Sequence, residues 1–114
     1  MSNIYVLGAG MVGSAMAIDL AKKHHVTISD ISSEVLSRVV EKEPSLKTEI
    51  LDVTDTKDLA SKIKDADLVL SAVPGFLGFE TLKKIILQGK NTVDISFFPE
   101  NALELNQLAL ENNV

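Results

Sequence analysis

"VLGAGMVGS", residues 6–14, sets Gly8, Gly10 and Gly13 in the spacing G-x-G-x-x-G, directly after an apolar run at residues 4–7. A glycine triplet alone is a weak signal. Between a strand and a helix, however, each glycine has its own task. Gly8 turns the chain off the strand, Gly10 lets the backbone approach a pyrophosphate, and Gly13 lets the helix pack close to the sheet. Ala17 continues that small-residue face. The amide donors and positive dipole end formed by Ala9, Gly10, Met11 and Val12 then suit a diphosphate. S-adenosylmethionine is the lesser rival as the ligand.

The rest of the chain supplies the context this loop needs. Short apolar runs, several rich in β-branched residues, recur at 4–7, 26–29, 48–53, 68–73 and 92–97, as expected of strands buried on both faces. Between them lie helical stripes: Leu36, Val39 and Val40; Leu59 and Ile63; Leu82, Ile85 and Ile86; Leu105, Leu108 and Ala109. Ser32 or Ser33 suits the N-cap of the second helix, Thr54 or Asp55 that of the third, and Gly89 the end of the fourth. With the helix after the glycine loop, this makes five β-then-α units. The alternation predicts a three-layer, Rossmann-type α/β fold: a doubly wound parallel sheet of about five strands, ordered 3-2-1-4-5. Val114 stands where a sixth strand would open, and a sixth strand would cover the edge of strand five. The expectation is one dinucleotide-binding domain over residues 1–114, cut from a longer chain whose substrate domain lies elsewhere.

Three later stretches fall at strand ends. In "TISDISS", residues 27–33, Asp30 follows Gly10 by 20 positions, where an acid accepts hydrogen bonds from the adenosine ribose. Its charge repels a 2′-phosphate, neither Ile31 nor the serines after it supply an arginine, and Arg38 lies more than a helical turn further on. NAD is therefore expected over NADP. Capping of the next helix is the structural alternative for Asp30. In "LDVTD", residues 51–55, Asp52 and Val53 border the adenine or simply form a capping turn, and the residues leave both open. "SAVPGFLGFETL", residues 71–82, follows strand four, so Ser71, Ala72, Val73 and Pro74 are expected beside the nicotinamide ribose, where small side chains permit close backbone approach. Phe76, Leu77 and Phe79 either shape a pocket or pack beneath the loop.

"PGFLGF", residues 74–79, with "VDISFFPENALEL", residues 93–105, resembles the N-terminal domain of the saccharopine dehydrogenase-like enzymes, and within them most closely lysine 6-dehydrogenase. The resemblance covers nearly the whole chain. It implies a Rossmann domain holding a nicotinamide cofactor, with a later domain supplying most of the substrate pocket and aiding dimerisation. It further implies hydride transfer from a carbon beside an amine nitrogen, on an amino acid such as lysine or saccharopine, to NAD. The resulting imine is hydrolysed by water.

Asp94, Ser96 and Glu100 fall near the end of strand five, where substrate contact competes with turn formation and capping. His24 and His25 are not read as metal ligands. Neighbouring helical residues diverge by about 100°, no third ligand is suitably spaced, and histidines suit a helix C-terminus. "KDLASKIKDAD", residues 57–67, is a solvated helix face.

Composition narrows the remaining classes. A net charge of −5 argues against nucleic acid and anionic membranes as partners, since both call for a basic face. Without an apolar run of about 18 residues or a secretory leader pattern, the expected location is cytoplasmic. The absence of cysteine rules out disulfides, thiolate zinc sites and a cysteine nucleophile. An unpaired strand-five edge makes homodimerisation an expectation. The alternative function is a regulatory nucleotide-binding module of a potassium channel or transporter, which shares the glycine loop and the acid after strand two. Such modules usually run into a polar, acidic stretch after strand four, whereas Pro74, Gly75, Phe76 and Leu77 stand here.

Overall fold

Alternating apolar residues along the first strand decide the layering. β1 (Asn3–Leu7) sends Ile4 and Val6 to one face of the sheet and Tyr5 and Leu7 to the other, and all four are buried. The computed structural model describes residues 2–73 and 75–94, apart from the side chains of residues 75–79 and 94. Within it, α1 (Met11–Leu20), β2 (His25–Asp30), α2 (Ser33–Lys42), β3 (Lys47–Ile50), α3 (Thr56–Ile63), β4 (Leu68–Ser71), α4 (Gly75–Leu87) and β5 (Thr92–Asp94) follow in turn. The strands form one parallel sheet in the order β3-β2-β1-β4-β5, the Rossmann-type order expected from the sequence.

One face packs Ile4, Val6, Val26, Ile28 and Leu70 against Ala17 of α1 and Leu36 and Val39 of α2. The other packs Tyr5, Leu7 and Val69 against Leu59 and Ile63 of α3 and Ile85 of α4. These are the helical stripes read from the sequence. Ser32 caps α2 by accepting the Val35 amide, and Asp55 caps α3 by accepting the Asp58 amide. Gly89, with φ +70°, ends α4 in the left-handed region that glycine tolerates.

Two strands are shorter than the apolar runs suggest. β3 ends at Ile50 and β4 at Ser71, yet Leu51, Val53 and Val73 remain buried in the layer beneath α3 and α4. Apolar character there records burial in a turn rather than strand conformation. The histidines also differ from expectation: α1 ends at Leu20, His24 lies in the turn beyond it, and His25 opens β2. His24 Nδ1 accepts the Ser2 amide at 3.2 Å, and no group of three metal-ligating side chains occurs among the described residues. No helix among them is long and apolar enough to cross a membrane. The expected fifth helix, Pro74, Ser96 and Glu100 lie outside the described residues, as do the side chains of Phe76, Leu77, Phe79 and Asp94.

Candidate cofactor site

The carboxyl ends of β1, β2, β3 and β4 bring together most of the residues singled out in the sequence. The Gly8–Gly13 turn leaves β1, and its first amide, Gly8 N, donates to Ser29 O of β2 at 2.9 Å. Gly8 has φ +98°, and a Cβ there would meet the Ala72 carbonyl oxygen at 2.6 Å. That residue must be glycine for the fold itself. At Gly13 a Cβ would collide with the Gly8 carbonyl oxygen, so this glycine seats α1 on the sheet.

Gly10 is different. Its φ of −69° is open to any L-residue, and a Cβ built there meets nothing within 4 Å. Neither backbone conformation nor packing requires glycine at this position, and the space beside it is open. The helix it opens agrees. α2 and α3 are closed by their own side chains, whereas α1 begins with no side-chain cap and no acidic residue in its first turn. The first-turn amides of an α-helix have no intrahelical acceptor, so those of α1 are open to an anionic group, which the helix dipole would favour. Met11 and Val12 are largely exposed beside this opening. These features fit the phosphates of a dinucleotide.

Asp30 ends β2 facing the loop. Its Oδ2 accepts the Ala9 amide at 2.9 Å and its Oδ1 accepts the Ser32 amide at 2.9 Å. One carboxylate thus pins the glycine turn to the β2–α2 turn, while Ser32 caps the helix. A carboxylate offers about four lone-pair sites, so each Asp30 oxygen keeps acceptor capacity for a ribose hydroxyl. Ile31, next to it, is an apolar side chain 68% exposed at this rim.

The 51–55 loop lies alongside, with Leu51 N donating to Asp30 O at 3.1 Å. Asp52 Oδ1 accepts both the Thr54 amide at 2.9 Å and the Thr54 hydroxyl at 2.6 Å. The hydroxyl bond and then the amide bond hold the Asp52 carboxyl below its ordinary value of 3.8, with the Lys84 ammonium adding to the effect. Val53 turns into the core, leaving its backbone rather than its side chain at the rim. At the next strand, Ala72 N donates to Leu7 O at 2.8 Å; Ser71 and Val73 are buried and Ala72 partly so.

Two contributors were not apparent from the sequence. Ser14 Oγ donates to Ala9 O at 2.7 Å, fastening the glycine turn from within α1, and a serine straight after the third glycine is its only local signal. Lys84, on α4, donates to Val53 O at 3.2 Å and Thr54 O at 3.3 Å. No local pattern announces that contact.

Comparison with known proteins places the chain in a family. The family model for the saccharopine dehydrogenase NADP binding domain matches residues 4–114. The chain belongs to that family. Its fold superposes on apo saccharopine dehydrogenase (L-Glu forming) from Saccharomyces cerevisiae with a TM-score of 0.77 at 28% identity, over 92% of this chain and 24% of that one. The saccharopine dehydrogenase-type domain also superposes on GenD2 from gentamicin A biosynthesis, solved in complex with NAD (TM-score 0.73, 18% identity, 99% of this chain, 32% of that one). A third match is UDP-N-acetylglucosamine 3-dehydrogenase GnnA from Acidithiobacillus ferrooxidans (0.77, 16%, 99% and 35%). At these lower identities the last two show the fold alone. The chain thus spans about a quarter to a third of the length of these solved relatives. No curated protein matches by sequence.

Proposed function

We propose that the chain is the NAD-binding domain of an oxidoreductase acting on the CH–NH group of an amino acid such as lysine or saccharopine. The observation that carries the cofactor choice is the Asp30 carboxylate, fixed by the Ala9 and Ser32 amides at the rim of the glycine turn. In that position it accepts ribose hydroxyls and repels a 2′-phosphate. Two cations on α2, Arg38 and Lys42, line the groove beside the glycine turn. That groove, of about 510 Å³, is also lined by Ala9, Gly10 and Met11, and Arg38 pairs with Glu34 at 3.3 Å, which offsets part of its charge.

Each element then has one job. The α1 amides and Gly10 take the diphosphate, Asp30 the adenosine ribose, Asp52 and Ile31 the adenine side, and Ser71, Ala72, Val73 and Pro74 the backbone approach to the nicotinamide ribose. Hydride acceptance is the chemistry the bound nicotinamide supplies. Family membership supports the dehydrogenase reading over a regulatory module, and the same membership supports amino-acid substrates for a longer protein.

Purified domain and longer protein test this together. The domain should bind NAD in calorimetry and should not oxidise lysine or saccharopine, because orienting a reacting carbon needs walls beyond the cofactor cradle. The longer protein should reduce NAD with one of those amines. A longer protein that binds NAD but leaves both amines untouched would sink the substrate assignment.

A further inference from the structure

The geometry points to Lys84 as a positioning residue for base recognition: it fixes the 51–55 loop so that Asp52 presents a carboxylate oxygen to the exocyclic amine of the cofactor's adenine. This inference rests on the dinucleotide reading above. Lys84 reaches a loop 30 residues away in sequence and donates to two consecutive carbonyls, Val53 O and Thr54 O. Immobilising a lysine side chain costs conformational entropy, so two acceptors on one turn describe a defined contact rather than a solvated amine.

Within the loop, Asp52 Oδ1 is occupied by both Thr54 donors. Among the described residues Asp52 Oδ2 has no hydrogen-bond donor, and the side chain is exposed next to the strand end that carries Asp30. An ionised carboxylate only accepts. The base it selects therefore carries a donor at the 6 position, as adenine does; hypoxanthine has a carbonyl there, and its donor is shifted to N1. Leu51 and Val53 already anchor the loop in the core. Removing Lys84 therefore leaves the loop attached but frees the turn between them, which sets the direction of Asp52.

The test compares NAD with nicotinamide hypoxanthine dinucleotide by calorimetry on the folded domain. The wild type should prefer NAD by about tenfold, the worth of one hydrogen bond to a charged group. Lys84→Met should bring the ratio to within about twofold, Lys84→Arg should keep part of the preference, and Asp52→Ala should abolish it. Thermal unfolding reports whether each variant is folded; should Lys84→Met not fold, Lys84→Gln, which keeps one donor group, carries the same comparison. A wild type that binds neither dinucleotide overturns the cofactor reading itself. A wild type that binds both equally, or a folded Lys84 variant with undiminished preference, overturns this inference and leaves that reading standing.

Discussion

The Asp30 carboxylate accepts the backbone amide of Ala9 at 2.9 Å, joining the end of β2 to the turn that leaves β1. A residue proposed to read the cofactor is therefore also part of the scaffold. Asp30→Ala should destabilise the domain by about 1–3 kcal/mol, because the Ala9 and Ser32 amides both lose an acceptor in a part-buried setting. Asp30→Asn should fall between the two, since its single oxygen satisfies one amide while its NH₂ confronts the other. Urea denaturation measures both. Wild-type stability in Asp30→Ala would mean that water replaces the carboxylate at no cost.

The glycines should separate by function. Gly10→Ala should leave stability within about 1 kcal/mol, with a small capping loss set against reduced freedom of the unfolded chain. It should nevertheless weaken NAD by about tenfold or more, since the new methyl occupies the space left for the diphosphate. Gly13→Ala should do the reverse in order of cause: its methyl strikes the Gly8 carbonyl, and stability falls by about 1–3 kcal/mol or more before binding is considered. Denaturation and titration of the two variants check this, and a Gly10→Ala domain that binds NAD normally would remove Gly10 from the site.

Much of this site was legible because its signals are local and periodic. The spacing of Gly8, Gly10 and Gly13 and the acid 20 positions after Gly10 specify a strand, a turn and a second strand end without knowledge of the rest. Long-range contacts left no such mark. That Asp30 holds Ala9, or that Lys84 holds Val53 and Thr54, depends on which strands become neighbours. The ends of β3 and β4 were misjudged for a related reason, since Leu51, Val53 and Val73 are apolar through burial beneath α3 and α4 while lying outside any strand. The proposed substrate rests on resemblance and family membership alone, because none of the described residues is tied to a reacting carbon.

Alkaline unfolding should be reported by one chromophore. Tyr5 is the single tyrosine and there is no tryptophan. Its hydroxyl is buried, and burial first, then the neighbouring Glu49 carboxylate, raises its pKa well above the ordinary 10.0. A raised folded-state pKa means that its contribution to stability is complete below pH 10.0 and declines as pH climbs from there towards the folded value. Tyrosinate absorbance should therefore appear together with loss of circular dichroism. Ionisation near pH 10 in a protein that keeps its circular dichroism would contradict the buried placement of Tyr5.

The most direct test of the cofactor assignment is a calorimetric titration of the domain and of Asp30→Ala with NAD and NADP. A charge-assisted hydrogen bond contributes about 1.5–3 kcal/mol, so the wild type should bind NAD on the order of ten- to a hundredfold more tightly than NADP. Asp30→Ala should lose most of that preference, by weakening NAD and relieving the repulsion of NADP. Equal wild-type affinities, or a preference unchanged in Asp30→Ala, would contradict the account and leave Asp30 as the tie between Ala9 and Ser32 alone.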